Sequence, residues 1–337
     1  MIRAVWILFV TALLGVSTPA FGWGYQGHEY VGSIADQLLN PNARKQVETL
    51  LGFSLQTAGP WLDCVKSVKP DGAGGFAYAP DPSHPEYRIP CTAFEQGAEK
   101  ARMEEYVKRN WTTCPELPGG GCHGNYHFAD VAIQHDDYER RYFGTNDHDI
   151  VSAINAALAI LKDKPAPQPF SIRDKKEALF LLAHLMGDLH QPLHVGAVYL
   201  DTSGTAVNPD GVGGHVAGTD TRGGNSLLLD HGNLHAEWDA IPNGLGPTAD
   251  RAAALKARKY LRWRGDPGTW AAIWASDTVQ QARNAFAGLS FVAKVDSHWG
   301  VRVANPDTYR KAEDALKREQ LLKAGGHLAA LLNAVWP

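Results

Sequence analysis

Apolar residues return at three- and four-residue intervals through six stretches of this 337-residue chain, the spacing that gathers them on one face of an α-helix. The stretches are 27–39 ("GHEYVGSIADQLL"), 40–51, 147–164, 171–191 ("SIRDKKEALFLLAHLMGDLHQ"), 268–289 and 307–335, the last with a Gly pair near its middle. Asn40 before Pro41 marks one helix start, a capping side chain followed by the residue best tolerated in a first turn. Between the helices, 59–90 and "PELPGGGCHGN" at 115–125 are rich in Gly and Pro and predict loops held on a scaffold. Residues 199–225 are turn-rich and admit a small hairpin or a flexible insertion. No repeat or linker divides the chain. The pattern predicts an all-α fold, a single compact multi-helix domain with long loops, those at 71–121 and 200–221 rimming the cleft.

The first residues break this pattern. "MIRAVWILFVTALLGV" is an apolar run behind one cation, Arg3, too short and wrongly flanked to span a membrane, and it reads as a secretory signal. Small residues Ala20 and Gly22 predict cleavage after Gly22, leaving 23–337 as one exported domain, periplasmic or extracellular. No later segment has about 18 consecutive apolar residues, so the mature chain is expected to be soluble without a membrane anchor. In that compartment Cys64, Cys91, Cys114 and Cys122 predict up to two disulfides, with three pairings open; lacking C-x-x-C, they staple loops rather than hold zinc. Asn110-Trp111-Thr112 has the form of a glycosylation acceptor. The formal charge is −4, and removing Arg3 makes it more negative, which argues against tight duplex binding by phosphate neutralisation.

Candidate chemistry concentrates in "AHLMGDLHQPLH". His184 and Asp188, four apart, project from one helix face and can close on one ion. Pro192 ends the helix and frees His194 to turn back towards that face. His235 and Asp239 in "HGNLHAEWDA" repeat the spacing. Such a pair alone is usually a hydrogen-bonded or solvated one, but Asp188 lies among apolar residues, where a carboxylate needs a partner or a metal. Asp63, His127 and His28 complete five His and three Asp, a donor set without thiolate that suits zinc with room for water and substrate oxygen. His190, two residues past Asp188, faces elsewhere and is set aside with the remaining histidines.

Trp23 with His28 five residues on, "WLD" at 61–63, "HFAD" at 127–130, "HLMGDLHQPLH" at 184–194 and "NLHAEWD" at 233–239 together resemble the zinc-dependent single-strand nucleases of the S1/P1 type, within the phospholipase C/P1 nuclease superfamily. The resemblance implies a secreted phosphodiesterase with three Zn²⁺ per chain. Asp63, His127, His184 and Asp188 would hold one ion. Trp23, through its amino nitrogen and carbonyl oxygen, and His28 would hold a second, with Asp188 bridging; His194, His235 and Asp239 would hold the third. It further implies that hydroxide generated between two ions attacks phosphorus in line while the third stabilises the departing 3′ oxygen, with Asp63 and Lys66 as catalytic residues. Substrates would be single-stranded RNA and DNA, mono- and oligonucleotides, giving 5′-phosphate products with 3′-nucleotidase activity besides. Phe128 and Asp130 match a base pocket, a stacking face and an acceptor for a base edge; Asn225, in "RGGN", matches a motif near the cluster. The resemblance implies a monomer with no stable protein partner.

Plainer readings stand beside these: Lys66 as a surface lysine, Phe128 as core, the basic run "RAAALKARKYLRWRGD" as a solvated helix face. A zinc phospholipase C would share the cluster, but such enzymes place the first His further from the N-terminal Trp and use Glu where Asp239 stands. A non-enzymatic secreted zinc-binding protein would need closed coordination, and nine ligand residues leave positions open on three ions.

Overall fold

The computed structural model describes residues 23–82 and 85–337; the leader and its cleavage point lie outside them. The helices are α1 Tyr25–Leu38, α2 Pro41–Leu51, α3 Leu55–Ala58, α4 Trp61–Cys64, α5 Gly97–Arg109, α6 Ile150–Leu161, α7 Lys175–Asp188, α8 Pro192–Val195, α9 Leu234–Asp239, α10 Arg251–Ala257, α11 Trp270–Phe286 and α12 Pro306–Val335. Every residue of α7 from Glu177 to Asp188 is buried, as a helix apolar on all sides must be. Helices α1, α3, α4, α6 and α12 pack around it, and the Trp61 ring stacks on Phe180 at 4.6 Å. The expected start of α2 is present, the Asn40 side chain accepting from the Ala43 N–H at 2.8 Å. The Gly pair of α12 also has a reason. A Cβ on Gly325 would stand 2.5 Å from the Ile34 side chain on α1, and one on Gly326 would stand 2.8 Å from the Ala257 carbonyl.

The all-α expectation needs correction. The fold is predominantly helical, but small sheets are present: β1 Val68–Pro70, β2 Phe76–Tyr78, β3 Val131–Ala132, β4 Gly196–Ala197, β5 Tyr199–Leu200, β6 Ala206–Val207, β7 Leu227–Leu229, β8 Gly232–Asn233, β9 Leu289–Phe291 and β10 Trp299–Val303. Four of them form one sheet in the order β8-β7-β10-β9, and the rest pair in twos. At two to five residues each, they are too short for an alternating pattern to register. The turn-rich segment holds a hairpin, β5 antiparallel to β6, whose turn is tied by Asp201 accepting from the Ser203 and Thr205 N–H groups. The segment 71–121, expected as loop, contains α5, a polar helix burying only Met103, Tyr106 and Val107.

Cys64 pairs with Cys91 and Cys114 with Cys122. Asn110 is fully buried. Its amide donates to the Tyr106 and Ser171 carbonyls and its oxygen accepts from Ser171 N–H and Tyr126 O–H, so the folded chain has no place for a glycan there. Among the described residues no helix is long and apolar enough to cross a membrane.

Candidate functional site

Helix α7 presents His184 and Asp188 one turn apart at its buried end. Gln191 then caps α8, accepting from the Leu193 N–H at 2.5 Å, and α8 turns His194 back towards the pair. Strand β3 lies parallel to β4, which draws the 127–130 segment alongside: His194 Nδ1 donates to the His127 carbonyl and Ala129 N–H to the His194 carbonyl, both at 2.8 Å. Helix α9, capped by Asn233, supplies His235 and Asp239, and the Gly24 N–H donates to the Asp239 carbonyl at 2.8 Å. Trp23 is thereby seated at the cluster. A Cβ on Gly187 would lie 2.7 Å from His28 Nδ1, so the His28 ring rests on a helix surface that only glycine leaves low enough, with the Trp23 ring packed alongside.

The donor atoms converge in three groups, each within 4.8 Å: His28, His184 and Asp188; Asp63, His127 and His184; His194, His235 and Asp239. Asp188 is the hub. Its Oδ1 lies 3.3 Å from His28 Nε2, and its Oδ2 lies 2.9 Å from His127 Nδ1 and 3.1 Å from His184 Nε2. The His28 and His184 rings stack at 3.7 Å. His184, His194 and His235 each donate Nδ1–H to a backbone carbonyl, those of Gly59, His127 and Gly223, at 2.6 to 2.8 Å. That fixes their tautomer and leaves Nε2 with a lone pair for a metal. A fourth group, Cys114 with Glu116 and His148, has its sulfur in a disulfide.

Whether these residues fit a cation is decided by what they leave unmet. Both ring nitrogens of His28, His127 Nε2, His194 Nε2 and one oxygen each of Asp63, Asp188 and Asp239 are buried without a hydrogen-bond partner. Buried polar atoms are almost always paired, so this many together want a ligand, and imidazole plus carboxylate is the donor chemistry of zinc. At four of these groups the electrostatics favour the form that binds a cation. Burial, with His194 adding to it, drives His235 down to about 3, and burial with Lys66 lowers His127; both rings are neutral. At Asp63 and Asp188 burial opposes the charge, but Lys66 and His184 at the first, and His184 and His194 at the second, outweigh it and hold both below the usual carboxylate range. Two groups run the other way: at Asp239 burial outweighs the Gln191 hydrogen bond and pushes the carboxyl up, and at His184 burial is outweighed by the Asp188 and Asp63 carboxylates, which raise the ring, so both must give up a proton to a cation.

Above the cluster opens a cavity of about 530 Å³, with Lys66, His127, Phe128, Asp130, His194, Asn225 and His235 on its wall. Lys66 Nζ lies 2.7 Å from Asp63 Oδ1. Asp130 is pushed up to about 7 by burial, with Asp220 adding to the shift and Arg222 opposing it. Asn225 closes its own loop, its side-chain amide donating to the Arg222 carbonyl at 2.9 Å. The structure thus brings His28, Asp63, His127, His184, Asp188, His194, His235 and Asp239 into the cluster and Lys66, Phe128, Asp130 and Asn225 onto the cavity wall, with Trp23 packed beside Gly187. His190, expected to face elsewhere, is buried and bonded to the Met186 carbonyl and to His327. Three contributors escape sequence reasoning. Gln191 donates to Asp239 Oδ1 at 2.7 Å, Gly187 allows the close approach of His28, and Arg222 stands on the cavity wall. Gln191 and Gly187 stand inside the strongest motif, which is the one signal that could have found them.

A profile described as S1/P1 Nuclease matches residues 23–337. Among curated relatives, Endonuclease 2 of Arabidopsis thaliana is 23% identical, covering 100% of this chain and 96% of its own length. Endonuclease 5 of the same plant is 22% identical over 98% and 96% respectively. Endonuclease 4 is 26% identical over 48% of this chain and 50% of its own length.

Proposed function

Because this chain belongs to the S1/P1 nuclease family, we propose that it is an exported nuclease using three zinc ions. In this reading it hydrolyses single-stranded RNA and DNA to 5′-phosphate products and removes 3′-phosphates from nucleotides. One observation carries the reading: buried imidazole and carboxylate atoms without partners converge in three groups beneath an open cavity. We assign Asp63, His127, His184 and Asp188 to one ion, Trp23 and His28 to a second with Asp188 shared, and His194, His235 and Asp239 to the third. Ligation by the Trp23 amino nitrogen requires that Trp23 begin the mature chain. The two disulfides support export to an oxidising compartment.

When bound, zinc supplies Lewis acidity towards a phosphoryl oxygen and a lowered pKa for the attacking water. Lys66, held beside Asp63, stabilises charge developing on the phosphoryl group as a point cation. The Phe128 face stacks a base and the Asp130 carboxylate accepts from its edge, with Asn225 on the same wall. A base can enter only when it is free of a duplex partner, which sets the preference for single strands and tolerates any sequence.

The test uses protein beginning at Trp23, assayed as purified, after chelation and after zinc is returned, with product ends analysed. Zinc-restored cleavage of single-stranded RNA and DNA leaving 5′-phosphates is expected. A folded, zinc-loaded protein inert on both, or activity indifferent to chelation, overturns the reading.

A further inference from the structure

Arg222 lines the cavity beside Asp130, Asn225 and His235, and neither metal ligation nor base stacking gives it work. Its backbone is left-handed, with φ 55°, a conformation in which an arginine is sterically disfavoured and for which glycine or asparagine would serve better. Gly223 and Gly224 follow it with φ of 55° and 89°. Strain kept in a well-determined loop points to function, and this loop is well determined. Asn225 donates twice to the Arg222 carbonyl, Ser226 N–H bonds the Thr221 carbonyl, the Thr221 hydroxyl bonds the Val198 carbonyl at 2.6 Å, and the Gly223 carbonyl orients His235.

The side chain that results is an exposed guanidinium with no carboxylate within ion-pair distance among the described residues. Asp220 is engaged by His215 at 3.0 Å, and Arg222 acts on Asp130 only through space. A guanidinium is always charged and offers a planar fork that fits a phosphate with two parallel hydrogen bonds. The cleavage centre already has its cation in Lys66, beside Asp63. Arg222 stands instead at the base pocket, and the nucleotide seated there carries a second phosphate on its 5′ oxygen whenever it lies inside a strand.

Building on the nuclease reading, we propose that Arg222 is a specificity-determining residue that grips this 5′-side phosphate. The enzyme then favours strand interiors and 5′-phosphorylated ends over an unphosphorylated first nucleotide.

The experiment measures kcat/KM on the dinucleotide ApA and on its 5′-phosphorylated form pApA, for wild type, Arg222→Asn and Arg222→Lys, with melting curves for each. Asparagine accepts the left-handed backbone, so the variant folds. Wild type should prefer pApA by about tenfold or more, the effect of a charge-assisted pair. Arg222→Asn should bring the ratio close to unity by raising KM for pApA, and Arg222→Lys should recover part of it. For Arg222→Asn on longer strands, the slope of log affinity against log salt should become shallower by about 0.7, the share of one neutralised phosphate. No preference in wild type, or the same preference in Arg222→Asn, overturns the proposal. A folded, zinc-loaded wild type that cleaves neither dinucleotide nor a longer single strand overturns the nuclease reading beneath it; if only the longer strands are cut, an unchanged salt slope in Arg222→Asn overturns the proposal.

Discussion

Gln191 carries no charge and escapes a search for metal ligands, yet its amide holds Asp239 while its oxygen caps α8. In Gln191→Leu the zinc affinity of the His194, His235 and Asp239 group should fall about 10- to 100-fold, as for other residues that orient a ligand; competition with a chromophoric chelator measures it, and unchanged affinity would mean Asp239 needs no holder. Asp130 makes a second prediction. Its carboxyl, raised to about 7, protonates below that pH and loses acceptor capacity, so KM for adenine substrates should fall as pH rises through about 7. Asp130→Asn should flatten that limb, and a persisting limb would assign it to another group. The sign for stability is opposite. The native state binds the extra proton between the ordinary 3.8 and about 7, so this group's contribution is lost as pH rises through that window. His184 with Asp188 and His235 with Asp239 were legible because ionisable residues at helical spacing are conspicuous, the first pair inside apolar sequence, whereas Trp23, His28, Asp63 and His127 stood out only through the motifs shared with the family. Gln191 and Arg222 were not, because an amide's partner and a backbone φ are tertiary facts.

The long helix α12 depends on closeness. In Gly325→Ala the new methyl meets Ile34; overpacking of this kind costs about 1 to 3 kcal/mol, against up to about 1 kcal/mol gained in helix propensity. A net loss is expected, visible as a lower denaturant midpoint, whereas an unchanged or higher midpoint would mean α1 and α12 can part without penalty. The helices α1, α2, α6, α7, α11 and α12 all follow the apolar spacing of the sequence. Helix α5 did not announce itself, because most of its surface is polar. The strands did not either, since a pair such as β3 and β4 is two residues long and exists only because distant segments meet.

Across the whole molecule, the unmet buried donors make metal and stability one question. Zinc bound only by the folded state should raise the melting temperature, by a free energy of about 2.7 kcal/mol per site at a hundredfold excess over Kd; a melting curve indifferent to zinc would detach the cluster from the fold. The Cys64–Cys91 bridge spans 27 residues and adjoins Asp63, so Cys91→Ser should lose about 3 to 4 kcal/mol by chain entropy and bind zinc less tightly; unchanged stability would leave the bridge without an energetic role. Asp188 has a further consequence. Its two oxygens face different donor groups, so a cation arriving at one group neutralises and steers the carboxylate that the other must use. Filling is therefore expected to have an order: two positions that load interdependently through the shared His184 and Asp188, and a third, built on His194, His235 and Asp239, with its own carboxylate and its own affinity.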